Sequence, residues 1–167
     1  LVHAVGARVV VTCSAGKVDR GRDLGADVVV DHGSGDFVEA ALEATGGLGV
    51  DVCLDGVGGD YVARNLAATR VRGHIVQVGV MGGGDARVPV GELLRKRISW
   101  TGTVLRARPV EEKIAVSRRC GHDLLPLFAS GVLRPVIDRR YPLDRVAEAH
   151  GYVASNANVG KVVLAVR

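Results

Sequence analysis

The sequence has few aromatics, 4% of its residues, and one tryptophan. It has three cysteines, Cys13, Cys53 and Cys120. Their odd number and lack of metal-ligand spacing argue against a disulfide scaffold and a zinc site, and for a reducing, cytoplasmic setting. No apolar run reaches the roughly 20 residues that span a bilayer, and no signal-peptide pattern is present. Nor does one sign of charge dominate: 22 Lys and Arg stand against 18 Asp and Glu, a net charge of +4. Such a balance favours anionic ligands weakly and does not by itself argue for nucleic acid. The basic pairs Lys96-Arg97, Arg118-Arg119 and Arg139-Arg140 lack interleaved aromatics and read as solvated faces. Ser-His-Asp order, paired carboxylates, a zinc motif and a G-x-x-x-x-G-K-[ST] phosphate loop are all missing. No residue is therefore assigned as catalytic, and none as a metal ligand.

What the chain does have is apolar content, 47%, and 23 glycines, well above the usual share of about 7%. The glycines fall between Val-rich runs. Strands are predicted over 8–12, 27–31, 50–55, 74–78, 98–105, 134–139 and 161–166, and helices over 17–24, 37–45, 61–68, 90–96, 111–130 and 143–154. Alternating strands and helices joined by right-handed crossovers make a doubly wound parallel sheet, an α/β Rossmann-like fold. Ligands in such sheets bind at the carboxyl ends of the strands. That rule singles out Cys13 to Lys17, then His32-Gly33, then Gly56 to Gly59, then Gly79 to Gly82.

An NAD site usually carries an acid after its second strand, to hold the ribose 2′-hydroxyl. Here that place holds Thr12, Cys13 and Ser14, with Lys17 close behind. A hydroxyl and a cation suit a 2′-phosphate. The plainer alternative is that Ser14 caps the next helix and Lys17 is a solvated charge. His32 is either a cofactor contact or a surface histidine. Gly56, Gly58 and Gly59 let a backbone pass close to a ligand, or serve an ordinary turn. Gly79, Val80 and Met81 either present main-chain groups to a ligand or form a plain strand exit.

Several short strings occur in a telling order: Leu24-Gly25-Ala26-Asp27, Gly49-Val50-Asp51-Val52, Leu54-Asp55-Gly56-Val57-Gly58-Gly59, Leu93-Leu94-Arg95-Lys96-Arg97, Thr101-Gly102-Thr103-Val104-Leu105-Arg106, Arg134-Pro135-Val136-Ile137-Asp138, Ala147-Glu148-Ala149-His150 and Gly160-Lys161-Val162-Val163-Leu164. Together they resemble the zinc-free quinone oxidoreductase (zeta-crystallin-like) branch of the medium-chain dehydrogenase/reductases, over essentially the whole chain. The resemblance implies an NADPH-dependent, zinc-independent reductase of quinones or α,β-unsaturated carbonyls. It implies cofactor contacts at Ser14, Lys17, His32, Gly59, Gly79, Val80, Met81, Val104, Leu105 and Arg106.

It also implies a departure. Residues 1–8 align with the end of a helix that follows a Gly-Gly-Val-Gly turn in the family. The turn, the strand before it and the amino-terminal catalytic domain lie outside this sequence. The expectation is a sheet lacking its first central strand and glycine loop, with neighbours facing each other across a space about 5 Å wide on either side. Residues 1–130 would form the partial NADP-binding domain. Residues 131–167 would be a remnant that returns to the catalytic domain. The predicted edge strand from Ile98 to Leu105 would pair with its copy in a homodimer. Activity of this chain alone is doubtful on that view, and the rival reading is a non-catalytic Rossmann remnant that binds nucleotide weakly or serves as an interaction module.

Overall fold

The computed structural model describes residues 1–166. The chain divides into two compact units, one holding Gly6–Ala115 with Val2, the other holding Leu1, His3–Val5 and the residues from Val116 onward.

In the first unit, strands alternate with helices: β1 (Val10–Cys13), α1 (Val18–Asp23), β2 (Val28–Asp31), α2 (Phe37–Ala44), β3 (Val50–Asp55), α3 (Tyr61–Ala68), β4 (Thr69–Gln77), α4 (Val90–Lys96), β5 (Ser99–Gly102) and the start of α5 (Val110–Ala129). All pairings are parallel, so the fold is α/β and Rossmann-like. The ladder, however, is broken. β1 pairs only with β2, while β3, β4 and β5 form a separate sheet in that order. Among the described residues no strand pairs with the second side of β1 or of β3.

Helices tie the two sheets together. Val28 and Val30 from β2 and Val50 from β3 share one core with Phe37, Ala41 and Ala68. Helix α2 starts at Asp36, whose carboxylate accepts the Val38 N–H at 2.9 Å, and this cap satisfies one of the four orphan donors of the first turn. Arg64 lies over the Phe37 ring, 4.2 Å from its centroid, and pairs with Asp36 at 3.0 Å. A second core joins Leu66 of α3, Ile75 of β4 and Ile98.

Side chains alternate across a strand. On one face of the three-stranded sheet, Cys53 and Ile75 are packed under α3 and α4. On the other, Val52 is 59% exposed and Leu54 is 71% exposed. Parallel sheets are normally covered on both faces. Here one face of β3 is bare among the described residues.

Lys96 does not belong to a solvated face, contrary to the reading of the Lys96-Arg97 pair. Its ammonium donates to the carbonyls of Leu66, Ala67 and Thr69 at 2.7, 2.7 and 2.9 Å. Its side chain is only 12% exposed and lies 3.2 Å from Glu92. It caps the C-terminal end of α3, where unpaired carbonyls and the helix dipole both favour a cation. Lys96→Met keeps the stem and loses the charged donors. We expect it to cost about 2 kcal/mol in urea unfolding, and a loss below about 0.5 kcal/mol would mean that water serves those carbonyls equally well.

The strand predicted over 98–105 is shorter than expected. β5 ends at Gly102, opposite the last residue of β4, Gln77. Thr103 N–H makes the closing rung to Gln77 O at 2.9 Å, and beyond it there is no strand left to pair with. The predicted strand over 74–78 instead begins at Thr69. α5 runs from the first unit into the second, contains Pro126 and buries none of its residues.

In the second unit β6 (Ile137–Pro142) pairs with β7 (Lys161–Ala165), and α6 (Val146–Ala154) packs beside them. β6 lies later than the predicted 134–139 because its register with β7 runs through Pro142. Tyr152 donates to Asp138 at 2.8 Å, and that carboxylate pushes the phenol's pKa up. Arg139 covers the Tyr152 ring at 4.1 Å.

Candidate functional site

The carboxyl ends of all five strands of the first unit carry short loops, and the candidate residues sit on them. Ser14 and Lys17 follow β1. Ser14 has the extended backbone of a helix N-cap, φ −76° and ψ 155°, yet its side chain makes no capping bond. The capping role that competes with ligand binding is therefore not in use. Lys17 closes the single 3-10 turn Ala15–Lys17 and is half-buried. His32 is exposed after β2, and its N–H extends the ladder to Cys13 O at 2.9 Å. Beside it, Asp31 accepts from Gly33 N at 3.0 Å and Ser34 Oγ at 2.7 Å. These bonds hold its carboxyl below the usual range, the Gly33 N–H contributing most.

The loops after β3 and β4 are laced together by their backbones. Met81 N donates to Gly56 O at 3.2 Å, and Gly82 N to Val57 O at 2.7 Å. The glycines have a reason here that the sequence did not show. Gly58 and Gly59 take left-handed φ of +68° and +53°. A Cβ on Gly58 would lie 2.9 Å from Gly83 O, one on Gly59 2.8 Å from Gly82 O, and one on Gly79 2.9 Å from Gly56 O. These positions are small because two loops touch, before any ligand is considered.

Beneath the loops lies a buried polar cluster that sequence reasoning missed. Asp55 is 3% exposed. It accepts from Val57 N at 2.6 Å, Gly58 N at 3.1 Å and Asn65 Nδ2 at 2.9 Å. A carboxylate accepting the N–H two residues on is the Asx-turn pattern, and an acid directly before a glycine run was the available signal. Gln77, at the end of β4, donates through Nε2 to Gly79 O at 2.7 Å and Asp55 O at 3.3 Å. Its Oε1 is buried without a hydrogen-bond partner among the described residues, a state that costs about 1–3 kcal/mol. Cys53, close by, has its thiol pushed up to about 11 by burial and by the Asp55 carboxylate, so it stays protonated and unreactive at neutral pH.

The third group, Val104, Leu105 and Arg106, lies in the exposed loop after β5. Arg108 steadies that loop through Thr103 Oγ1 at 2.7 Å and Val104 O at 3.3 Å. The structure thus brings Gly59, Gly79, Val80 and Met81 into one double loop. Val104 adjoins it through Thr103, while Ser14, Lys17 and His32 stand together at the ends of the β1–β2 pair.

The sequence profile of the zinc-binding dehydrogenases matches residues 24–164. This chain belongs to that family. Among solved structures, the domain is similar to a candidate alcohol dehydrogenase from Sinorhizobium meliloti 1021, with 34% identity, a TM-score of 0.81, and 98% of this chain and 45% of that one covered. It is also similar to Escherichia coli quinone oxidoreductase in complex with NADPH, with 31% identity, a TM-score of 0.79, and 98% and 51% covered. A curated relative, the highly reducing polyketide synthase easB of Emericella nidulans, is 33% identical over 82 residues, which is 49% of this chain and 3% of that protein. The zinc-binding dehydrogenase domain thus spans about half the length of these solved structures. Among its described residues no three His, Cys, Asp or Glu side chains converge on a metal position. No helix among them is long and apolar enough to cross a membrane.

Proposed function

We propose that this zinc-binding dehydrogenase domain is the NADPH-holding part of a zinc-independent reductase of quinones or α,β-unsaturated carbonyls. One observation carries the choice of cofactor. The loop after β1 has no carboxylate, and instead offers Ser14, whose hydroxyl is not spent on a cap, with Lys17 three residues on. A carboxylate there would repel a 2′-phosphate, and a hydroxyl and an ammonium attract one. The similarity to a quinone oxidoreductase complexed with NADPH supports the same reading.

NADPH, when bound, supplies the hydride. The chain's own residues bind and orient it. Ser14 and Lys17 would hold the 2′-phosphate, and His32 would face the cofactor's phosphate or adenine. Gly59 would line the cofactor, Gly79, Val80 and Met81 its nicotinamide side, and Val104, Leu105 and Arg106 would meet the carboxamide. Orientation is the main lever in hydride transfer, so a double loop locked backbone to backbone is a suitable floor. In the parent protein the residues after 130 would return to a catalytic domain, and the edge at β5 would meet its copy in a dimer.

A second reading, a non-catalytic nucleotide-binding module, is favoured by the break in the ladder between β1 and β3. Titration with NADPH and NADH, followed by NADPH oxidation with a phenanthrenequinone acceptor, separates the two. We expect NADPH to bind about 10–100 times more tightly than NADH, as for charged hydrogen bonds to one phosphate, and Lys17→Glu to abolish the difference. Equal affinities in the wild type would remove the NADPH assignment. Tight binding with no quinone reduction by the full-length protein would favour the non-catalytic module.

A further inference from the structure

The Gln77 amide, with its buried Oε1, is not accounted for by any role described above. Its orientation is forced. Two carbonyls, Asp55 O and Gly79 O, lie on one side at 3.3 and 2.7 Å, and only the NH2 end can donate to them. Rotating the amide would set oxygen against oxygen. The NH2 end is therefore pinned onto those two carbonyls, and Oε1 is left buried without a partner among the described residues.

That arrangement makes poor sense as a device for stability. Asp55 O already receives the Val78 N–H at 2.7 Å. Gly79 is only half-buried, so water could serve its carbonyl. An apolar side chain of the same length would bury no orphan oxygen, which offsets the loss of the amide's donors to Gly79 O and Asp55 O.

What the amide does achieve is to fix a peptide plane. The bond between Gly79 and Val80 is trans, so its C=O and N–H point in opposite directions. With Gly79 O held by the Gln77 amide, the Val80 N–H points away from that amide. Val80 itself is exposed. The neighbouring groups are already spent: Val80 O accepts from Gly83 N at 3.0 Å and Met81 N donates to Gly56 O at 3.2 Å. No bond from Val80 N is present among the described residues.

We propose that Gln77 is a positioning residue that sets the Val80 N–H as an outward donor for an acceptor oxygen on the ligand. The inference rests on the reading that Gly79, Val80 and Met81 line the nicotinamide side of the cofactor. It adds that this floor recognises an oxygen through a donor, and that a side chain below the loop chooses which way the peptide faces.

The test uses the full chain, wild type and Gln77→Leu, with amide hydrogen exchange by NMR, thermal unfolding and NADPH titration. In the wild type the Gln77 side-chain amide protons should exchange slowly and the Val80 amide quickly. In Gln77→Leu the thermal midpoint should be no lower, the Val80 amide resonance should move, and NADPH affinity should fall about tenfold, the equivalent of about 1.4 kcal/mol. A structural role alone would lower the midpoint and leave the affinity of the folded fraction intact, and that pattern would overturn the proposal. So would rapid exchange of the Gln77 amide protons in the wild type, a measurement that needs no variant. If the wild type binds no NADPH, the cofactor reading fails by itself. The positioning role is then decided by the Val80 resonance, and a shift of that resonance sustains it while no shift refutes it.

Discussion

Gly59→Ala is expected to cost about 3 kcal/mol and to spring the double loop open. Two effects add. Gly59 has φ +53°, and an L-residue held in that region costs roughly 1–2 kcal/mol. The new methyl would also lie 2.8 Å from Gly82 O, a backbone atom that cannot rotate away. Relieving such a contact means shifting the loop, at about 1–3 kcal/mol. The shift would break the rung from Gly82 N to Val57 O, now 2.7 Å. Urea unfolding measures the loss, and amide exchange at Gly82 reports the opening. Gly84→Ala is the control. A Cβ there meets nothing within 4 Å, so the change should lie within about 0.5 kcal/mol of zero. Equal stability for the two variants would show that the loops are not locked together as described.

The second large effect concerns the open flanks of β1 and β3. Extending the amino terminus with an apolar strand, a glycine turn and a helix is expected to stabilise the first unit and to raise NADPH affinity at least about 100-fold. The stabilisation has two sources. A strand between β1 and β3 would pair backbone groups that have no ladder partner among the described residues. The added layer would also cover Val52 and Leu54, now 59% and 71% exposed, at about 2 kcal/mol for each side chain. The gain in affinity comes from the new helix N-terminus, whose free N–H groups suit a pyrophosphate. A thermal melt and an NADPH titration of the extended and unextended chains provide the comparison. An extended chain that melts at the same temperature and binds no better would refute the proposed insertion.

Much of this molecule could be read from short-range patterns. β3 and α3 lie where valine alternation and the run from Tyr61 to Ala68 predict them, because local hydrophobic period and turn glycines decide those elements. Asp36 announced α2, since a side-chain cap is a contact with a residue two positions on. The grouping of the loops after the strands was legible for a similar reason: parallel topology alone sends every loop of one kind to the same end of the sheet.

Other features were not legible, and they share a cause. Lys96 looked like one more surface charge, but it closes a helix that ends about thirty residues earlier in the chain. Gly58 and Gly59 suited either a ligand or a turn, and their close approach to the backbone of the loop after β4 was not visible. The strand expected from Ile98 to Leu105 stops at Gly102 because β4 has already ended. Gln77 could not be marked at all. Its meaning lies in two carbonyls, one at the end of β3 and one in the loop after β4.

The sequence by itself determined the α/β class, the order of elements and the dehydrogenase superfamily, because each depends on local periodicity or on chain order. Only the tertiary structure decided that the ladder is broken between β1 and β3, that the glycines lock loop to loop, and that the Gln77 amide joins the end of β3 to the loop after β4. These features rest on contacts between strands and loops distant along the chain, such as Gln77 with Asp55 and Gly82 with Val57, whose backbone direction and spacing no local pattern encodes.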